Sequence, residues 1–251
     1  MRNVLNEYID YCKLQYIPFS DTRSIKTYDA STLFCSAGMQ QYKREFADKQ
    51  IAGLTLANCQ KVLRTNDLDS VGDGFHLAYF SMLGLFSFRD WSLKQAIEFW
   101  LNFICELGLP ISKVTIHPDR EMWREFFPTG TEVMLDSECT WSDGEISGYC
   151  TEFYSGDVEV GNIVNPLGNC IDAGFGLERL EQSINHLPPK TRIEGLVEAA
   201  KAIIAEGYAP SNLRQGYVLR KILRTLYKEN KENEQIVLPY YQKEVARQKR
   251  L

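Results

Sequence analysis

Hydrophobic residues recur at helical spacing in some stretches of this chain and alternate with polar ones in others, so both kinds of element are predicted. Between Ser92 and Leu107, the apolar residues Leu93, Ala96, Ile97, Trp100, Leu101, Ile104 and Leu107 share one helical face. Ser92 and Gln95 form a capping box at its start, and Gly108-Leu109-Pro110 stops it. Asn3 to Gln15 reads as a first helix, and Gly176 to Asn185 as another. Short β-favouring runs lie at Gln60 to Thr65, His76 to Phe80, Lys113 to His117, Glu132 to Leu135, Gly161 to Val164 and Cys170 to Ala173. Strands and helices mix without strict βαβ alternation, which predicts an α+β fold with an antiparallel sheet flanked by helices. His186 to Lys190, with two prolines, is the natural linker. It divides a domain over 1–187 from a helical region over 188–251, where Ile193, Leu196, Val197, Ala200, Ile203 and Ile204 return to helical spacing.

Composition narrows the class. The hydrophobic share of 44% and charged share of 24% are ordinary globular values. A net charge of −5 gives no global attraction to nucleic acid, so any RNA contact must come from a local basic patch. No apolar run approaches membrane-spanning length, and the N-terminus lacks a secretory hydrophobic core, so a cytoplasmic protein is expected. The seven cysteines lack CxxC spacing and the three histidines are scattered, so free thiols and no zinc are expected.

Two stretches carry candidate chemistry. In Ile171-Asp172-Ala173-Gly174-Phe175-Gly176-Leu177-Glu178-Arg179, a strand ends in an acid and two bare glycines, and a helix begins. Gly174 and Gly176 allow close approach to the backbone. Arg179 offers a planar cation to a phosphate, and Asp172 an anion to an ammonium. The same Gly-x-Gly also describes a tight turn and nothing more. From Cys59 to Asp90, strand, polar loop and strand follow one another, with Arg64 at the end of the first strand and His76, Phe80, Met82 and Phe86 on the return. That arrangement suits an adenine nucleotide: a guanidinium for phosphate, flat or thioether groups for the base. A plain hairpin with a solvated arginine and core aromatics fits it too.

Together the two stretches resemble the alanyl-tRNA synthetases, a branch of the class II aminoacyl-tRNA synthetases. CQKVLRTNDLDSVG with HLAYFSMLGLFSFRDW looks like their second signature motif, and IDAGFGLERL like their third. LFCSAGMQQYK resembles their first conserved region, and Pro210-Ser211-Asn212 with GYVLRKILR the approach to their tRNA-recognition helices. The resemblance covers about residues 4 to 230 and implies a compact stand-alone catalytic domain without the family's metal-binding editing domain.

It implies ATP-dependent activation of alanine as an adenylate. Arg64 and Arg179 would act on the phosphates, with His76, Phe80, Met82, Phe86 and Gly176 completing the ATP site. Asp172, Gly174, Asn162, Val164 and Trp141 would form the amino-acid site, although Trp141 also reads as core. Mg²⁺ would accompany ATP, with Glu152 as its carboxylate. The basic helix with Asn212, Arg214, Arg220 and Arg224 would meet the tRNA acceptor stem, or else is a solvated face. A homodimer is compatible with the class.

The family pattern is not kept everywhere. Ser81 replaces a glutamate, Leu85 an asparagine, Gly161 a tryptophan and Asn165 a phenylalanine, and the loop around Gly148 to Glu152 is abbreviated. The changes at 161 and 165 are expected to touch the amino-acid side of the site, either admitting another substrate or only trimming the scaffold. Transfer to tRNA, transfer to a carrier protein or small molecule, and a non-catalytic regulatory role are the three functions these residues leave open.

Overall fold

A computed structural model describes residues 2–28, 30–142, 144–229 and 238–249. The chain forms two compact units. One comprises Met1–Thr22, Ala37–Gln60 and Ser81–Leu187, the other Arg23–Ser36, Lys61–Phe80 and Pro188–Leu251. The helical region thus takes with it 23–36 and 61–80, which the sequence pattern assigns to the catalytic domain.

The first unit is built on a mixed, mainly antiparallel sheet. Its strands are β1 (Phe19–Thr22), β2 (Leu54–Leu63), β3 (Tyr79–Phe88), β4 (Lys113–Ile116), β5 (Glu132–Leu135), β6 (Thr140–Ser142), β7 (Ser147–Ser155), β8 (Val158–Pro166) and β9 (Cys170–Gly176). They lie in the order β1-β2-β3-β9-β8-β7-β4-β5, with β6 beside β7. β1 joins β2 and β5 joins β4 in parallel; β3, β9, β8, β7 and β4 run antiparallel in turn. Helices α1 (Val4–Leu14), α2 (Lys43–Ala47), α3 (Leu93–Glu106) and α4 (Leu177–Asn185) complete the unit. Asn3 caps α1, and Ser92 with Gln95 closes the expected capping box on α3.

Strand alternation sets the two faces apart. Ile171, Ala173 and Phe175 are fully buried, whereas Asp172, Gly174 and Gly176 between them are half-buried. The buried set packs with Leu83, Leu85 and Ile163 against α1, α3 and α4. Phe175 stacks on Trp100 with ring centres 3.9 Å apart, and Trp100 stacks on Tyr8 at 5.1 Å. Such aromatic pairs contribute about 0.5–1.5 kcal/mol each beyond the area they bury. The stack needs Gly161, because a Cβ there would lie 2.3 Å from the Phe175 ring.

The second unit contains α5 (Arg192–Ala205), α6 (Arg214–Lys228) and α7 (Leu238–Gln248). The tip of the β2–β3 hairpin belongs to it for an apolar reason. Leu63, Leu68, Val71 and Ala78 pack with Leu196, Ala200 and Ile203 of α5 and Leu219, Ile222 and Leu223 of α6. Polar bonds fix the same place: Arg192 donates to the carbonyls of Leu68 (3.3 Å), Asp69 (3.0 Å) and Val71 (2.9 Å). The polar loop is therefore anchored at Leu68 to Val71, while 72–76 are exposed. Among the described residues, no helix is long and apolar enough to cross a membrane.

Candidate active site

Sheet register gathers the candidates of the first unit onto the face opposite the core. Across β3 and β9, Met82 pairs with Gly176, Gly84 with Gly174, and Phe86 with Asp172. Across β9 and β8, Gly174 pairs with Asn162 and Asp172 with Val164. Across β8 and β7, Val164 pairs with Cys150 and Asn162 with Glu152, while Trp141 on β6 pairs with Gly148. Directly paired residues project to the same side, so these side chains share one face. Val164 is 2% exposed and packs with half-buried Trp141, which gives this face one closed apolar wall. A Cβ at Gly174 would sit 2.8 Å from Met82 Sδ, so the Met82 thioether would have to move aside. Gly176 is different: a Cβ would meet only the aliphatic carbons of Arg179, at 3.5–3.6 Å. Packing does not demand a glycine there, and without a Cβ its backbone can be approached closely.

Arg179 stands in the first turn of α4, directly after β9. Its guanidinium donates to the Glu159 carbonyl at 2.9 Å and lies 3.4 Å from the Glu159 carboxylate. The preceding residue, Glu178, clamps β3: it accepts from the Ser81 amide at 2.8 Å and from the Ser81 hydroxyl at 2.9 Å.

Three expectations are revised on this face. Phe86 is fully buried, its ring 4.7 Å from Tyr42 in a cluster with Met39, Phe46 and Phe88. It is a packing residue, closed off from a nucleotide base. Gly161 pairs with Phe175 on the core face, and Asn165 donates to the Cys170 carbonyl at 2.8 Å across the β8–β9 turn. Both departures from the family pattern are scaffold changes. Glu152 accepts from the hydroxyls of Thr115 (3.0 Å) and Tyr154 (2.7 Å), and its carboxylate lies within 4.8 Å of the Cys139 and Cys150 thiols. Magnesium demands hard oxygen ligands in an octahedron, so this sulfur-rich donor set fits it poorly.

The second unit holds the other candidates. Arg64 follows β2, donates through Nε to the Ser36 carbonyl at 3.2 Å, and lies 5.2 Å above the centre of the Phe80 ring. His76 precedes β3 instead of lying within a strand. Its Nδ1 is 2.5 Å from the Asp73 carboxylate, whose acidity is raised by the His76 amide first and the ring second. Arg220 is turned inward, its Nε 3.2 Å from both oxygens of Glu244, a buried carboxylate on α7. Its guanidinium also binds Asn212, which accepts from Arg247 at 3.4 Å. Asn212 and Arg220 thus bond within the chain, and Asn212, Arg214 and Arg224 are exposed. Arg224 lines a cavity of about 300 Å³ with Tyr217, Lys221 and Lys228.

Glu159, Glu178, Thr115, Cys139 and Cys150 are the functional-face residues that the pattern does not signal. Only Glu178 stands inside a recognisable motif, and Cys139 lies eleven positions from Cys150 without any ligand spacing.

The fold is that of the class II aminoacyl-tRNA synthetases. A solved structure described as an ATP phosphoribosyltransferase regulatory subunit/histidyl-tRNA synthetase from Bacillus halodurans superposes with a TM-score of 0.50. It shares 12% identity and covers 73% of this chain and 78% of its own. The family model described as tRNA synthetases class II (A) matches residues 3–141, more than half of the chain, and the chain belongs to that family. Among curated relatives, the alanine–tRNA ligase of Rhodopirellula baltica is 31% identical over 252 residues, covering 79% of this chain and 27% of the relative. That of Endomicrobium trichonymphae is 30% identical over 277 residues, covering 81% and 32%. The chain thus spans about a third or less of the length of these two relatives.

Proposed function

We propose that this chain activates alanine, or a similarly small amino acid, as an aminoacyl-adenylate and passes the aminoacyl group to an acceptor, in the first instance tRNA. The supporting observation is the sheet face on which Asp172, Gly174, Asn162, Val164 and Trp141 lie together, with Arg179 following on α4. In the proposed reaction, a substrate carboxylate oxygen attacks the α-phosphorus of ATP. A new P–O bond forms, the bond to the β-phosphate oxygen breaks, and pyrophosphate leaves with the electron pair. The nucleophile is already an anion, so the protein's task is positioning and charge neutralisation.

Arg179 takes the γ-phosphate, exchanging the Glu159 carboxylate for phosphate oxygen while the Glu159 carbonyl still orients it. Asp172 receives the α-ammonium and Asn162 flanks it. Val164 and Trp141 limit the side chain to about a methyl group, and Gly174 and Gly176 admit the adenylate to the backbone. Arg64 serves the α-phosphate, the role its motif implies. The same motif implies contact with the base for Phe80 and Met82, and for His76 a contact through Nε2, since Asp73 occupies Nδ1. Magnesium bound to the ATP phosphates would offset their charge; no residue is assigned to it.

A second reading concerns the acceptor. The internal bonds of Asn212 and Arg220 are the observation behind delivery to a carrier protein or small molecule in place of the acceptor stem. Amino-acid-dependent ATP–pyrophosphate exchange across the twenty amino acids, followed by acylation of total tRNA, tests both. Exchange with alanine and charging of tRNA is the expected result. Exchange without charging selects the second acceptor class, and no exchange with any amino acid overturns the adenylation proposal.

A further inference from the structure

Beside the Trp141–Val164 wall, Cys139, Cys150 and Glu152 place two thiols and a carboxylate oxygen within 4.8 Å of one another. Backbone pairing creates the arrangement. Cys150 donates its amide to the Cys139 carbonyl at 2.9 Å, setting the two cysteines side by side at the end of the β6–β7 ladder. Glu152 lies two residues further along β7 on the same face as Cys150. Both cysteines are buried, at 1% and 3% exposure.

The surroundings are polar and convergent. Cys139 Sγ is 3.0 Å from Thr115 Oγ1, and the same hydroxyl donates to Glu152 at 3.0 Å. Tyr154 holds the Glu152 carboxylate at 2.7 Å. Two hydroxyls thus orient the carboxylate, as outer groups orient a metal ligand. No lysine or arginine forms an ion pair with Glu152 among the described residues.

We infer that Cys139, Cys150 and Glu152 form a three-ligand Zn²⁺ site with an exchangeable oxygen ligand in the fourth position. Two thiolates select a borderline-soft ion over magnesium or calcium. At Zn–S of about 2.3 Å and Zn–O of about 2.0–2.2 Å, tetrahedral ligand atoms are roughly 3.4–3.8 Å apart, within the reach of this cluster. Three protein ligands leave one position open, as in zinc sites that exchange a ligand. The inference does not rest on the adenylation proposal, because it concerns metal content and ligand identity and not turnover.

The full chain, purified without chelator and desalted, is the material for the test. Metal analysis is expected to find about one zinc per chain, as a buried two-thiolate site retains its ion through desalting. X-ray absorption at the zinc edge should show two sulfur scatterers and two oxygen or nitrogen scatterers. Cobalt replacement should give a thiolate-to-metal charge-transfer band. Cys139→Ser/Cys150→Ser should lose that band and most of the zinc while keeping a wild-type circular dichroism spectrum. Should this variant fail to fold, the absorption spectrum of the wild type still decides. A first shell without sulfur, absence of zinc from folded wild-type protein, or a Cys139–Cys150 disulfide in its peptide map would each overturn the inference.

Discussion

Replacing Gly161 by alanine adds one methyl group at the most tightly contested point of the sheet. The new Cβ would lie 2.3 Å from Cδ1 and 2.4 Å from Cγ of Phe175, and 2.7 Å from the Gly174 carbonyl oxygen. Carbon atoms rest at about 3.5–4.0 Å, so the deficit is more than about 1 Å. Phe175 has little room to yield, because Trp100 is stacked on it at 3.9 Å and Phe153 stands 5.5 Å away. Overpacking costs about 1–3 kcal/mol, and a rigid ring backed by a backbone carbonyl places this case near ~2–3 kcal/mol. For a chain of this size that lowers Tm by roughly 4–12 °C.

Gly174→Ala, next to Phe175 on β9 and on the opposite face, is the control. There the obstacle is the Met82 thioether at 2.8 Å, a flexible side chain, and the loss should stay below about 1 kcal/mol. Chemical denaturation followed by circular dichroism compares the two. Trimming the ring in Gly161→Ala/Phe175→Leu should recover about 1 kcal/mol relative to the sum of the single changes. If Gly161→Ala costs no more than Gly174→Ala, or if the double variant is simply additive, the assignment of Gly161 to packing is refuted.

Other outcomes follow from the same geometry. Arg179→Ala should abolish pyrophosphate exchange with an unchanged circular dichroism spectrum, and wild-type exchange rates would remove its phosphate role. Asp172→Asn should raise the amino-acid KM at least about tenfold, consistent with loss of a charge-assisted bond, and the ATP KM much less; equal shifts contradict the ammonium assignment. Cys12 bears on alkaline stability. Burial pushes its thiol from the usual 9.0 up to about 12, with a bond from Tyr8 acting weakly in the opposite direction. The fold therefore holds this proton more tightly than the unfolded chain does, a contribution complete below pH 9.0 and lost as pH rises through about 12. Cys12→Ala should flatten the decline of unfolding free energy over that window, and an unaltered slope argues against the burial effect.

Much of this architecture is legible in the residue pattern, and the gaps have physical causes. The α3 capping box and its apolar stripe are strong local signals, and the structure keeps them to within a residue. β7 is not signalled, because Ser147-Gly148-Tyr149-Cys150-Thr151-Glu152 mixes glycine with polar residues on a strand whose site face is not apolar. The affiliation of 61–80 with the helical unit is equally hidden. It depends on four apolar residues meeting helices more than a hundred positions away, and on Arg192 reaching three carbonyls. Phe86 shows the converse: its position within the motif suggests a nucleotide contact, but Tyr42 and Phe46, distant in sequence, close over it.

The strand from Cys170 to Gly176 serves two masters at a pitch of two residues: Ile171, Ala173 and Phe175 face the interior, and Asp172, Gly174 and Gly176 the proposed site. Inserting or deleting a single residue within it would exchange the sets, driving Asp172 inward and Phe175 out. This segment can therefore diversify by substitution but not by change of length. Added or removed residues fit instead in the turns on either side of β8, at 156–157 and 167–169, where Gly156 and Gly168 already adopt left-handed backbone angles. A library built on this scaffold should keep the ruler fixed and spend its insertions at those two corners.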